Sequence, residues 1–159
     1  MSMPRAIVQT PYAFFGFVGL CMVSAALLMG WQGRLVPEDV SFVWQVVTGV
    51  GLIAAMTFQW VLFYNRWTGQ VRVNDVIQHR WVGVTTVILF GLHAARVGHT
   101  WMLALTILFL LIGVTGILNK QIVRYQTRGA YLTWLALHIG LSVAIIPLIA
   151  VHIWVALAY

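Results

Sequence analysis

The sequence predicts an all-α, polytopic membrane protein of five spanning helices, and three observations carry that reading. Of the 159 residues, 62% are hydrophobic and only 8% are charged, a composition outside the range of soluble domains. The charged residues sit mostly between long uncharged runs, and there are five such runs. The basic residues also fall largely on one side of the membrane that those runs imply. A net charge of +6 that forms no dense patch argues against a nucleic-acid partner and leaves the lipid bilayer as the surrounding.

Residues 1–10 form a short head carrying Arg5, and the run over 11–31 makes the first helix. A charged start before an apolar run also describes a secretory signal. This run is too long for a signal core, so a retained helix is expected. Cys21 lies within it as the single cysteine; it supplies neither an internal disulfide nor a zinc motif and reads as a packing residue. Residues 32–41, with Gly33, Arg34, Pro37, Glu38 and Asp39, read as a loop. The uncharged run over 42–65 predicts the second helix. Residues 65–78 are the longest polar connection, holding Arg66, Gly69, Arg72 and Asp75, and the third helix is expected over 76–97. Gly98 and His99 read as a tight turn, 100–118 as the fourth helix, and 119–130 as a basic loop with Lys120, Arg124 and Arg128. Residues 131–159 carry no charge and predict the fifth helix, kinked at Pro147. A single integral-membrane domain over 1–159 is expected, with the first helix standing outside a core of about 42–159.

Five helices put the termini on opposite faces. With the N-terminus cytoplasmic, that face holds Arg5, Arg66, Arg72, Arg80, Lys120, Arg124 and Arg128, against Arg34 and Arg96 outside. The positive-inside rule therefore predicts a cytoplasmic N-terminus and an external C-terminus. Most of the eight tryptophans fall near the ends of the runs, as an aromatic belt would.

Two segments carry chemistry: His79 to His93, and His138 to His152. Each is an apolar stretch with histidines fourteen positions apart. Fourteen helical residues rise about 21 Å and stop roughly 40° short of four whole turns. Each pair thus shares one helix face and reaches toward both edges of a hydrocarbon core about 30 Å thick. A polar ring inside lipid is costly without a partner and reads as functional. The third and fifth helices run in the same direction, so His79 shares a depth with His138 and His93 shares one with His152. Two imidazoles at one depth are what a haem iron takes as axial ligands. The expectation is two haems, held by His79, His93, His138 and His152 in a four-helix bundle, with the first helix as an extra.

Neighbouring residues fit that expectation and also have plainer accounts. Gly83 lies on the His79 face, and Gly91 and Gly140 each lie two positions from a histidine, where missing side chains would admit a flat macrocycle. Packing between helices accounts for these glycines equally well. Arg80, Arg66, Arg72, Arg124 and Arg128 could meet the propionates of the inner haem and Arg96 those of the outer one. Membrane topology alone is the better account of any single arginine. His99 has no matched partner and reads as interfacial, with a quinone-site or proton-carrying role as its alternative.

The stretch "HRWVGVTTVILFGLH" resembles the first ligand helix of the ferric-reductase-like transmembrane family, and "HIGLSVAIIPLIAVH" resembles the second. The plan is also similar to cytochrome b of the quinol–cytochrome c oxidoreductases and to other bacterial di-haem membrane cytochromes b. The resemblance covers about residues 79–159 and is specific in spacing but loose in sequence. It implies two haems b, one on His79 and His138 and the other on His93 and His152, and electron transfer across or into the membrane, with a bacterial cytoplasmic membrane as the expected location. The five-helix reading closes at Tyr159 without a flavin and nicotinamide domain, and it shows no Pro-Glu-Trp-Tyr quinol motif. The expected role is therefore an electron-transport subunit of an oxidoreductase complex, not a stand-alone enzyme. Its expected partners are other redox subunits, with quinone, a flavoprotein or an extracytoplasmic cytochrome at the ends of the path. A proton relay or transporter would call for acids near mid-membrane, whereas Glu38, Asp39 and Asp75 fall in loops or at a helix end. A haem-free anchor would leave the histidine spacing without a purpose.

Overall fold

The computed structural model describes residues 10–31, 37–70, 73–94 and 100–158. Five helices occur among them: α1 (Pro11–Met29), α2 (Glu38–Trp67), α3 (Val73–His93), α4 (Trp101–Ile117) and α5 (Arg128–Ala158). They follow the five apolar runs with shifted ends. α2 opens at Glu38, not near residue 42, which puts a carboxylate at the positive end of the helix dipole, and it continues through Arg66 at the negative end. α3 likewise starts three residues early, with Asp75 in its first turn, and stops at His93. α5 takes in Arg128, which the sequence reading left in the loop, and runs unbroken through Pro147. Proline has no amide hydrogen for the Val143 carbonyl, a loss that membrane helices tolerate. Arg5, Arg34, Arg72, Arg96, Gly98 and His99 lie outside the described residues.

α1, Val40–Trp67 of α2, and α5 are long and apolar enough to cross a membrane. α4 is a shorter apolar helix of 17 residues, rising about 26 Å. α3 has 21 residues, and Gln78, His79, Arg80 and His93 dilute its apolar character. Two helix ends are closed by glycine in the left-handed conformation, Gly30 at φ 59° and Gly69 at φ 78°. After α1, the Gly30 and Trp31 amides donate to the carbonyls of Leu27 and Ala26; after α2, those of Gly69 and Gln70 donate to Arg66 and Asn65. This double bond pattern satisfies carbonyls that the helix leaves open and needs a residue free of the Cβ penalty.

The chain divides into two compact units, Phe14–Arg96 and Met1–Ala13 with Val97–Tyr159. In the first unit α2 and α3 are antiparallel, with Trp44 bonded to the Leu92 carbonyl at one end and Gln59 to the His79 carbonyl at the other. α1 runs parallel to α3, with Phe15 beside Trp81, Gly19 beside Val87 and Gly91 against Val23. In the second unit α4 and α5 are antiparallel, with Thr115 opposite His138 and Trp101 opposite His152. The first turn of α1 belongs to this unit. Ala13 and Ile122 are buried together there, flanked by Tyr12 and Val123, and the Tyr12 hydroxyl donates to Gln121 Oε1.

Large apolar side chains face outward: Leu28, Phe42 and Leu157 are 82%, 71% and 83% exposed. Thr48, Thr86, Thr106 and Thr115 are buried, each donating its hydroxyl to a carbonyl four residues back. Apolar surface outside and self-satisfied polar groups inside suit a lipid solvent.

Candidate functional site

Each unit seats one histidine ring in a notch on its antiparallel neighbour. In the first unit the notch is cut in α2. His93 Nδ1 lies 3.0 Å from the Gln45 carbonyl and 3.4 Å from Thr48 Oγ1. The edge of the ring rests over Gly49, where a Cβ would stand 2.9 Å from His93 Cε1. That distance is too short for any side chain, so glycine is required for this approach. The Trp44 indole anchors the helix pair beside the notch through its 2.8 Å bond to the Leu92 carbonyl.

In the second unit the notch is cut in α4. His138 Nδ1 lies 2.8 Å from Thr115 Oγ1, and His138 Cε1 would meet a Cβ on Gly116 at 3.5 Å. Trp134 stacks on the ring at 6.1 Å between centroids and 11° between planes, while its indole N–H donates to the Thr115 carbonyl at 2.8 Å. The imidazole is thus held at one edge by a hydroxyl, on one face by an indole, and beneath by a glycine.

The contacts bear on which ring nitrogen carries the proton. A carbonyl only accepts, so the Gln45 contact makes His93 Nδ1 the donor. Thr115 Oγ1 lies 2.9 and 3.0 Å from the Leu111 and Ile112 carbonyls as well as 2.8 Å from His138 Nδ1. With its hydroxyl hydrogen on those carbonyls, its oxygen accepts from His138 Nδ1–H. That is the tautomer of an imidazole that binds a metal through Nε2 while Nδ1–H is held by a second group.

The other two histidines are placed differently. His152 packs against Trp101, with centroids 5.6 Å apart and planes at 52°. His79 is exposed, and its carbonyl accepts from Gln59 Nε2 at 2.9 Å. Gln59 Oε1 is buried with no hydrogen-bond partner, and a Cβ on Gly83 would lie 3.4 Å from Gln59 Nε2. Gly83 thus faces the Gln59 amide at ordinary contact distance. Gly91 serves helix packing, since a Cβ there would lie 2.5 Å from Val23 Cγ2. A side chain at Gly140 would meet open space. Arg80 is half-buried beside His79, and Lys120, Arg124 and Arg128 are exposed.

Thr48, Gly49, Thr115 and Gly116, with Gln45, Trp44 and Trp134, are absent from the sequence expectations. A signal for them exists: the tripeptide Val-Thr-Gly occurs at Val47-Thr48-Gly49 and again at Val114-Thr115-Gly116. Among the described residues no three of His, Cys, Asp and Glu gather as a chelate; a haem iron, by contrast, needs only two protein donors.

Fold and site together define a helical protein with three helices of membrane-crossing length and two hairpins that each clasp an imidazole. No protein-family model, curated protein or solved structure matches the sequence.

Proposed function

We propose that this chain is a di-haem cytochrome b subunit with five spanning helices. It passes electrons through a bacterial cytoplasmic membrane between quinone or a flavoprotein and an extracytoplasmic redox partner. His79 and His138 hold the inner haem, and His93 and His152 the outer one, a pairing that rests on depth counted along the helices. The observation that carries this reading is the seating of His93 and His138, whose Nδ1 atoms meet the Gln45 carbonyl and Thr115 Oγ1 on their own hairpins. An axial ligand that binds iron through Nε2 has its Nδ1–H held by a second group in this way. A packing histidine or a proton relay has no need of the same notch built twice.

Bound haem supplies one-electron chemistry at its iron, and this chain's residues supply everything around it. The imidazoles bind, the Thr-Gly steps orient them, and the apolar helices exclude water. The first turn of α1 rests beside the α4–α5 connection through Ala13 and Ile122. This supports a cytoplasmic N-terminus on the same side as Lys120, Arg124 and Arg128. Arg80 adjoins His79 in the chain and is suited to a propionate of the inner haem.

Purification from membranes of cells supplied with ample haem tests the proposal. The expected product is red, carries two haems per chain and shows a bis-imidazole spectrum. A folded but colourless protein would end it.

A further inference from the structure

We infer that Thr48 and Thr115 are positioning residues, each presetting one axial ligand, His93 and His138. The inference rests on the di-haem reading. His93 and His138 each meet a threonine hydroxyl at Nδ1 and a glycine beneath Cε1. They come from different helices and, by sequence depth, from different haems.

A hydrogen bond accepted from Nδ1–H gives the imidazole more anionic character, strengthens its donation to iron and favours the ferric state. Losing that bond moves a midpoint potential to more positive values. The two threonines should differ in weight. Thr115 Oγ1 is the nearer, at 2.8 Å. Thr48 Oγ1 stands at 3.4 Å and shares His93 Nδ1 with the Gln45 carbonyl at 3.0 Å, which a substitution at Thr48 leaves in place.

The test is a redox titration with EPR of the full-length haem-loaded protein in lipid. Thr115→Val should raise the potential of the haem that His138→Ala removes, and shift its low-spin signal. Thr48→Val should raise the other potential by less. Thr115→Ser should restore the parent value, and Thr106→Val, which alters a buried hydroxyl remote from any notch, should move neither. If Thr115→Val fails to fold, Thr115→Ala removes the same hydroxyl with a smaller side chain and is read the same way. Two bound haems whose potentials and signals ignore Thr115→Val or Thr115→Ala would overturn the inference and leave the di-haem reading standing. A wild-type chain that binds no haem would overturn the di-haem reading itself, and the ligand role with it.

Discussion

Thr115 Oγ1 stands 2.8 Å from His138 Nδ1, and when the hydroxyl hydrogen points back to the Leu111 and Ile112 carbonyls of its own helix, the ring is the donor. The relationship repeats between Thr48 and His93, again with the notch on the first helix of the hairpin and the ring on the second. On α4 the notch is near the C-terminal end and receives a ring from the start of the next helix. On α2 it is near the N-terminal end and receives a ring from the end of the next helix. The two notches thus face opposite ends of their hairpins.

Glycine is not equally necessary beneath the two rings. Gly49→Ala places a Cβ 2.9 Å from His93 Cε1, so the ring must move; an overpacking cost of about 1–3 kcal/mol follows, with loss of the haem proposed for His93. Gly116→Ala meets His138 at an ordinary 3.5 Å and gains about 0.5–1 kcal/mol of helix propensity. Thermal unfolding and haem content of the two variants check the contrast. Equal effects would contradict it.

The pairing of ligands predicts which substitutions share a phenotype. His93→Ala and His152→Ala should each remove the same haem, identified by its potential, and leave the other. His79→Ala and His138→Ala should remove that other one. Loss of different haems by His93→Ala and His152→Ala would overturn the pairing by depth.

Orientation is checked by labelling single cysteines in a Cys21→Ser background. Gln126→Cys, in the α4–α5 connection, should react with a membrane-impermeant thiol reagent only after the cytoplasmic side is opened. Glu38→Cys, at the start of α2, should react in intact spheroplasts. The reverse pattern would invert the topology.

The Tyr125 phenol donates to the Leu118 carbonyl and lies in the connection before α5. Burial first, and the neighbouring Tyr131 second, push its pKa above the ordinary 10.0. A raised pKa in the folded state means that the neutral phenol is the favoured form. Its contribution is complete below the ordinary tyrosine value and is lost as pH rises through the raised folded value. In an alkaline absorbance titration, Tyr125→Phe should remove one of the late-titrating members of the five tyrosines. Removal of an early one would contradict the direction of the shift.

Helix ends and side-chain partners were not equally legible in the chain. The five apolar runs are visible because lipid demands long uncharged segments, and all five return as helices. Their ends moved because a charge does not stop a helix: Glu38 opens α2 and Arg66 lies in its last turn, where the dipole favours them, and Arg128 opens α5 despite the dipole. The glycines divided in the same way. Gly91 is occupied by Val23 and Gly83 by Gln59, contacts that depend on which helices pair and in what register.

By itself the sequence determined the helical class, the apolar runs and the duplicated fourteen-residue histidine spacing, because each is a property of one segment and its period. Only the tertiary structure decided that Thr48-Gly49 and Thr115-Gly116 receive the rings of His93 and His138. A hydroxyl in an apolar helix bonds its own backbone in any arrangement, and its oxygen becomes an acceptor for an imidazole only when a neighbouring helix brings one within about 3 Å.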